Sequence, residues 1–124
     1  MVAKASGSLD IRAITAVEGN IEQSITSRNA LDIASLLNID ARVARGATNP
    51  LISPLRTAGA IHGDNGLGGA VLPKSDKDFD DKWAWDVIYE EAVKAQGKLR
   101  IIAIGPLTNV AIALMKYPDL KDML

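Results

Sequence analysis

The order of elements predicts an α/β domain: an open, mainly parallel sheet flanked by helices, formed as a single unit by residues 1–124. Three observations carry this expectation. Leu9 to Val17 and Leu99 to Ile104 are near-continuous apolar runs, as in strands covered on both faces. Two other segments repeat apolar residues every three or four positions, the spacing of a helix with one buried face. Glycine, proline and asparagine punctuate the joins, so the order reads strand, helix, strand, long loop, helix, strand, helix.

Taken along the chain, Met1-Val2-Ala3-Lys4-Ala5 reads as the end of a helix that Gly7 and Ser8 stop. Leu9 to Val17 follows as a parallel strand, interrupted only by Arg12 and Thr15 among its later residues. Glu18-Gly19-Asn20 turns out of it. Asn20, three residues before Gln23, has the spacing of a capped helix start. The helix is expected from Ile21 to about Leu37, with Ile21, Ile25, Ala30, Ile33, Ala34 and Leu37 inward and Glu22, Ser24, Arg28 and Asp32 outward. Asn38 can end it in the left-handed region. Ala41 to Ala44 is a short second strand, closed by Gly46-Ala47-Thr48-Asn49-Pro50.

From Asn49 to about Lys82 no periodicity stands out. A structureless stretch of this length in a small domain is either functional or disordered. Its interspersed Leu51, Ile52, Leu55, Ile61, Val71 and Leu72 favour an ordered loop packed back on the body. Asp76, Asp78 and Asp80 imitate the first ligands of a calcium hand. The imitation fails, because Asp81 stands where glycine is needed and Val87 where a bidentate glutamate is needed. These carboxylates suit instead the start of a helix from Trp83 to about Gln96, whose Trp85, Ile88, Tyr89, Ala92 and Val93 are expected to fill the core. Leu99 to Ile104 is the clearest strand. Gly105-Pro106-Leu107-Thr108-Asn109 then turns into a helix from Val110 to Met115, with Pro106 in its first turn.

Composition narrows the function. With 14 basic and 15 acidic residues the net charge is −1, so nothing favours electrostatic capture of nucleic acid or an anionic membrane. A small molecule or a protein is the expected partner. No apolar run approaches the length that spans a bilayer, and the first residues lack the apolar stretch of a secretion signal, which points to the cytoplasm. The absence of cysteine removes disulfides, thiolate metal sites and a cysteine nucleophile.

The densest glycine run, His62-Gly63-Asp64-Asn65-Gly66-Leu67-Gly68-Gly69, holds the only histidine. Glycines free to take positive φ make it a shaped loop, and an imidazole at its mouth can stack on or hydrogen bond to a heteroaromatic ring. The alternative is an irregular surface turn in which His62 caps a neighbour. The run does not fit a dinucleotide fingerprint, since after Gly66 and Gly68 the third glycine would fall at Val71. Nor is there a phosphate loop or a serine between paired glycines. Ligands of open α/β sheets collect at the carboxyl ends of strands, and the loops at Asn20, His62 and Thr108 all follow strands. These three positions are therefore expected to share one crevice.

Four blocks of the chain resemble the inosine-uridine-preferring nucleoside hydrolases: Ala13-Ile14-Thr15-Ala16-Val17-Glu18-Gly19-Asn20, Ser27-Arg28-Asn29-Ala30-Leu31, Ile61 to Gly69, and Ile104-Gly105-Pro106-Leu107-Thr108-Asn109-Val110-Ala111. The resemblance implies a Rossmann-like hydrolase fold and cleavage of the N-glycosidic bond of purine or pyrimidine ribonucleosides, as in nucleoside salvage. In that family a calcium ion holds the ribose diol and a water that an aspartate activates. Carried over, Thr108 would offer its backbone carbonyl to calcium, Asn20 would lie beside metal and ribose, and His62 would face the base or leaving group as a substrate contact and candidate catalytic residue. The family's aspartate-rich block would precede Met1, and its later asparagine, glutamate and aspartate contacts would follow Leu124. The unit of residues 1–124 is accordingly expected to be a partial domain. One carbonyl cannot satisfy calcium's six to eight oxygens, so this chain alone is expected to bind the ion weakly and not to hydrolyse nucleosides. Its uncovered sheet edge is expected to drive homo-oligomerisation or aggregation. Two other readings compete: a non-catalytic binding or assembly module that kept the scaffold, and a fragment of a split gene.

Overall fold

A computed structural model describes all 124 residues. Its centre is a two-stranded parallel sheet, β1 (Ala13–Thr15) beside β2 (Arg42–Ala44), with Ala13 opposite Arg42 and Thr15 opposite Ala44. The pairing runs past both ends: Arg42 N–H donates to the Arg12 carbonyl, Ala16 N–H to Ala44 and Glu18 N–H to Ala47. Even-numbered residues of this segment thus bond β2. Because backbone groups alternate along a strand, Ala13 and Thr15 direct theirs to the opposite, unpaired edge.

The crossover between the strands is α2 (Gln23–Leu36). Leu31, Ala34, Ile39 and Val43 form the core between α2 and β2, and the full burial of Leu31 alone is worth about 2 kcal/mol. Asn38, at φ +50°, ends the helix in the left-handed region as its residue type suggests. A second core unites α4 (Ala84–Ala95), α5 (Thr108–Lys116) and a closing 3-10 turn (Pro118–Asp122) through Ile88, Ala92, Ala113 and Leu120. Tyr89 stacks on Tyr117 at 3.9 Å between ring centres, joining α4 to the end of α5. Short helices α1 (Val2–Ala5) and α3 (Gly59–His62) complete the chain.

Several expectations are corrected. The Leu9–Val17 strand contracts to three ladder residues. The helix expected from Ile21 begins at Gln23, with Glu22 at the cap position and no side-chain cap, because the Asn20 amide is engaged elsewhere. Asp32 is not on an outer face: it is buried, paired with Arg28 at 2.6 Å, and accepts the Ser75 N–H. Val93 is half exposed, while Val87 is fully buried in its place. Leu99 to Ile104 forms no helix and joins no ladder. An apolar run specifies a strand's faces, whereas a ladder also needs a partner strand in register, and across from this segment lies a cleft instead. The last helix starts at Thr108, leaving Pro106 two residues ahead of its first turn.

The long loop is ordered, but not by the apolar residues proposed for it. Ile52, Ile61 and Val71 are largely exposed. Polar anchors hold it instead: Ala58 N–H to the Asn20 carbonyl, the Asn29 amide to the Asn65 carbonyl, Arg28 to the Ser75 carbonyl, and Asp80 N–H to Val43. Asp80 itself is bound by Arg42 through two bonds of 2.7 and 3.1 Å. The same guanidinium reaches Glu90 and Glu91 on α4, so one arginine of β2 ties loop and helix to the sheet. No helix is long and apolar enough to cross a membrane.

Candidate functional site

A cleft of about 590 Å³ opens between the unpaired edge of β1 and the extended segment at Ile101 to Ile104. Its floor is the turn that follows β1, Glu18-Gly19-Asn20, and its far wall ends at Gly105-Pro106. This is the carboxyl end of the sheet, where loops diverge and ligands of α/β proteins gather.

The loop that carries the histidine closes over this end. Gly63, Gly66, Gly68 and Gly69 all take positive φ, a conformation that side-chain-bearing residues rarely adopt. The Gly68 N–H returns to the His62 carbonyl, and Asn65 Oδ1 accepts the N–H groups of Leu67 and Gly69. Gly66 packs against Ile21, with no room for a β-carbon without displacing that side chain. The outcome is a wound loop that presents His62 to the turn after β1. Asn20 Nδ2 donates to His62 Nε2 over 2.9 Å, and both residues line the cleft.

Thr108 stands apart from this pair. It is buried at the start of α5 behind the cleft wall, and its hydroxyl donates to Glu18 Oε1 at 2.6 Å. The neighbouring Asn109 lines the cleft and clamps both strands: Oδ1 accepts the Ala47 N–H and Nδ2 donates to the Ala16 carbonyl, each at 2.8 Å. Gly46 is required beneath it, because a β-carbon there would collide with the Asn109 amide and the Ala16 carbonyl. The structure therefore brings Asn20 and His62 into direct contact, and connects Thr108 to the same cleft only through Glu18.

Glu18 is the residue that sequence reasoning passed over. Read as a turn residue, it is 1% exposed, and its Oε2 finds no hydrogen-bond partner in the protein. The signal was present in retrospect: a carboxylate directly continuing an apolar strand is poorly placed to reach solvent. As a possible shell for a cation, Glu18, the Thr108 carbonyl and the Asn20 amide are oxygen donors of the kind calcium prefers, and the orphaned Oε2 suits that use. No three acidic or histidine side chains gather closely enough to hold a metal by themselves.

Strong ionisation effects belong to the structural network instead. Arg42 hydrogen bonds hold the Asp80 carboxyl down at about 2. That pair fixes loop to sheet and does not line the cleft.

Comparison with known proteins places the sequence and the fold. The family model described as inosine-uridine preferring nucleoside hydrolase matches residues 1–124. A non-specific ribonucleoside hydrolase, RihC, of Klebsiella pneumoniae subsp. pneumoniae is 37% identical over 111 residues, covering 90% of this chain and 36% of the relative. The chain thus spans about a third of that relative's length. The purine-preferring ribonucleoside hydrolase of Gardnerella vaginalis superposes with a TM-score of 0.86 at 32% identity, over 98% of this chain and 41% of its own. A plant nucleoside hydrolase, PpNRh1, gives 0.87 at 32% identity, over 95% and 38%. With the family model matched along the whole chain and the fold shared, the chain belongs to the inosine-uridine preferring nucleoside hydrolase family.

Proposed function

We propose that the cleft is the ribose-binding part of a ribonucleoside N-ribohydrolase site, and that this chain alone does not turn over. The contact between Asn20 and His62 carries the reading. An amide and an imidazole, held together at the carboxyl end of the sheet, offer hydrogen bonds to sugar hydroxyls and a flat ring to a nucleobase. Asn20 would face the ribose and His62 the base or leaving group. A calcium ion bound here would orient the ribose diol and a water, with the Thr108 carbonyl as one of its ligands and Glu18 close by. This chain's own part is to position the sugar, shield one side of it and place the His62 imidazole near the departing base. These donors fall short of six to eight oxygens, which supports weak ion binding and the absence of turnover. A cytoplasmic role in purine or pyrimidine nucleoside salvage would follow.

The test is incubation of the purified chain with inosine or uridine, with and without Ca²⁺, with free base separated by chromatography. No release is expected, while ribose with Ca²⁺ gives a calorimetric binding signal. Calcium-dependent base release would refute the inactivity, and no binding of either would refute the site.

One observation favours a second reading, a binding or assembly module. Ile102 and Ile104 are 68% and 97% exposed beside the free edge of β1, a surface suited to pairing with another polypeptide, including a second copy.

A further inference from the structure

We propose that Glu18 is a positioning residue of the cleft, whose buried carboxylate grips the Thr108 hydroxyl and so sets the first turn of α5 and the Thr108 backbone carbonyl. The inference rests on the reading of the cleft as a ribose and calcium site.

Three observations carry it. Leu107, at the cap position before α5, provides no side-chain cap, so this helix start is organised from outside. Thr108 and Asn109, its first two residues, both turn their side chains onto the segments that leave the strands: Thr108 onto Glu18 and Asn109 onto Ala16 after β1, and Asn109 also onto Ala47 after β2. The Asn109 bonds hold the helix to the segments after the strands, and the core with α4 fixes its far face; Glu18 adds the contact at its first turn. An O–H···O⁻ bond of 2.6 Å has charge-assisted length, and a carboxylate beside a helix N-terminus is favoured by the aligned peptide dipoles.

The second observation is the cost of the arrangement. A carboxylate 1% exposed with one oxygen unpartnered is expensive to bury, and an apolar or small residue would cap the strand more cheaply. The third is location. Glu18 lies two residues before Asn20, so the turn that presents Asn20 to His62 is the turn that holds Thr108. A shift at Glu18 moves both sides of the cleft together.

The test uses the full chain with Thr108→Ser, Thr108→Val, Glu18→Gln and Glu18→Ala. Ca²⁺ and then ribose are titrated by calorimetry, and backbone amide exchange is followed along α4 and α5. Serine keeps the hydroxyl and is expected to hold ribose affinity within about twofold of the parent, whereas valine and Glu18→Ala lose about ten- to a hundredfold, as removal of a supporting partner does in metal sites. Glu18→Gln, which keeps an acceptor without the charge, is expected between them and remains folded. Exchange should quicken at the first turn of α5 and stay unchanged in α4. Undiminished affinity in Thr108→Val and Glu18→Ala overturns the inference while leaving the ribose reading intact. A parent chain that binds neither ion nor sugar overturns the reading of the cleft, and the inference with it.

Discussion

Asn20 and His62, 42 residues apart in the chain, meet through a single 2.9 Å hydrogen bond at the mouth of the cleft. The bond is exposed, so its contribution to stability is small, under about 1 kcal/mol. Its role is to couple the turn after β1 to the glycine loop. Asn20→Ala is expected to leave the melting temperature within a few degrees while raising backbone mobility across residues 58–69, read by ¹⁵N relaxation. Unchanged relaxation would mean that the loop holds His62 unaided.

Gly46 offers a sharper steric case. Gly46→Ala is expected to destabilise by about 2–3 kcal/mol, because the new β-carbon displaces the Asn109 amide that joins α5 to both strands. Gly59→Ala, with nothing within 4 Å of its β-carbon, is expected to be neutral. Urea denaturation of the two variants distinguishes them.

Acid stability follows from Asp80. Arg42 hydrogen bonds lower its carboxyl from 3.8 to about 2 in the fold. A carboxylate with a depressed native pKa contributes stability that is complete above the unfolded value and disappears as pH falls through the native one. The urea midpoint should therefore fall between pH 3.8 and about 2, and Asp80→Asn should flatten that limb. An equal acid limb in the variant would assign the loss to other carboxylates.

Much of this architecture was legible because it depends on local pattern. The apolar spacing of α2 and α4, the left-handed stop at Asn38 and the strand–helix alternation are properties of neighbouring residues. The failures are contacts between distant ones. Asn20 has the spacing of a cap, but His62 competes for its amide from the far side of a long loop. Asp32 looks solvated until Arg28 and Ser75 enclose it. Ile101 to Ile104 has the composition of a strand, yet a ladder belongs to two segments and no single run encodes it. Of the three positions expected to share a crevice, Asn20 and His62 line it and Thr108 lies behind its wall, and Glu18 was missed because burial of a charge is decided by what folds over it.

The exposed edge gives a prediction about association. Ile102→Lys and Ile104→Lys place charge on largely exposed apolar positions, a common protection against edge pairing. Light scattering should show a smaller average mass at high concentration than for the parent. A parent that is already monomeric under those conditions would count against the second reading.

The most direct measurement is a ¹H–¹⁵N titration of the chain with Ca²⁺ and ribose. Concentration-dependent shifts confined to Glu18 to Ile21, His62 to Gly66 and Gly105 to Val110 are expected. Shifts absent altogether, or gathered around Arg42 and Asp80 instead, would contradict a sugar site built on Asn20 and His62.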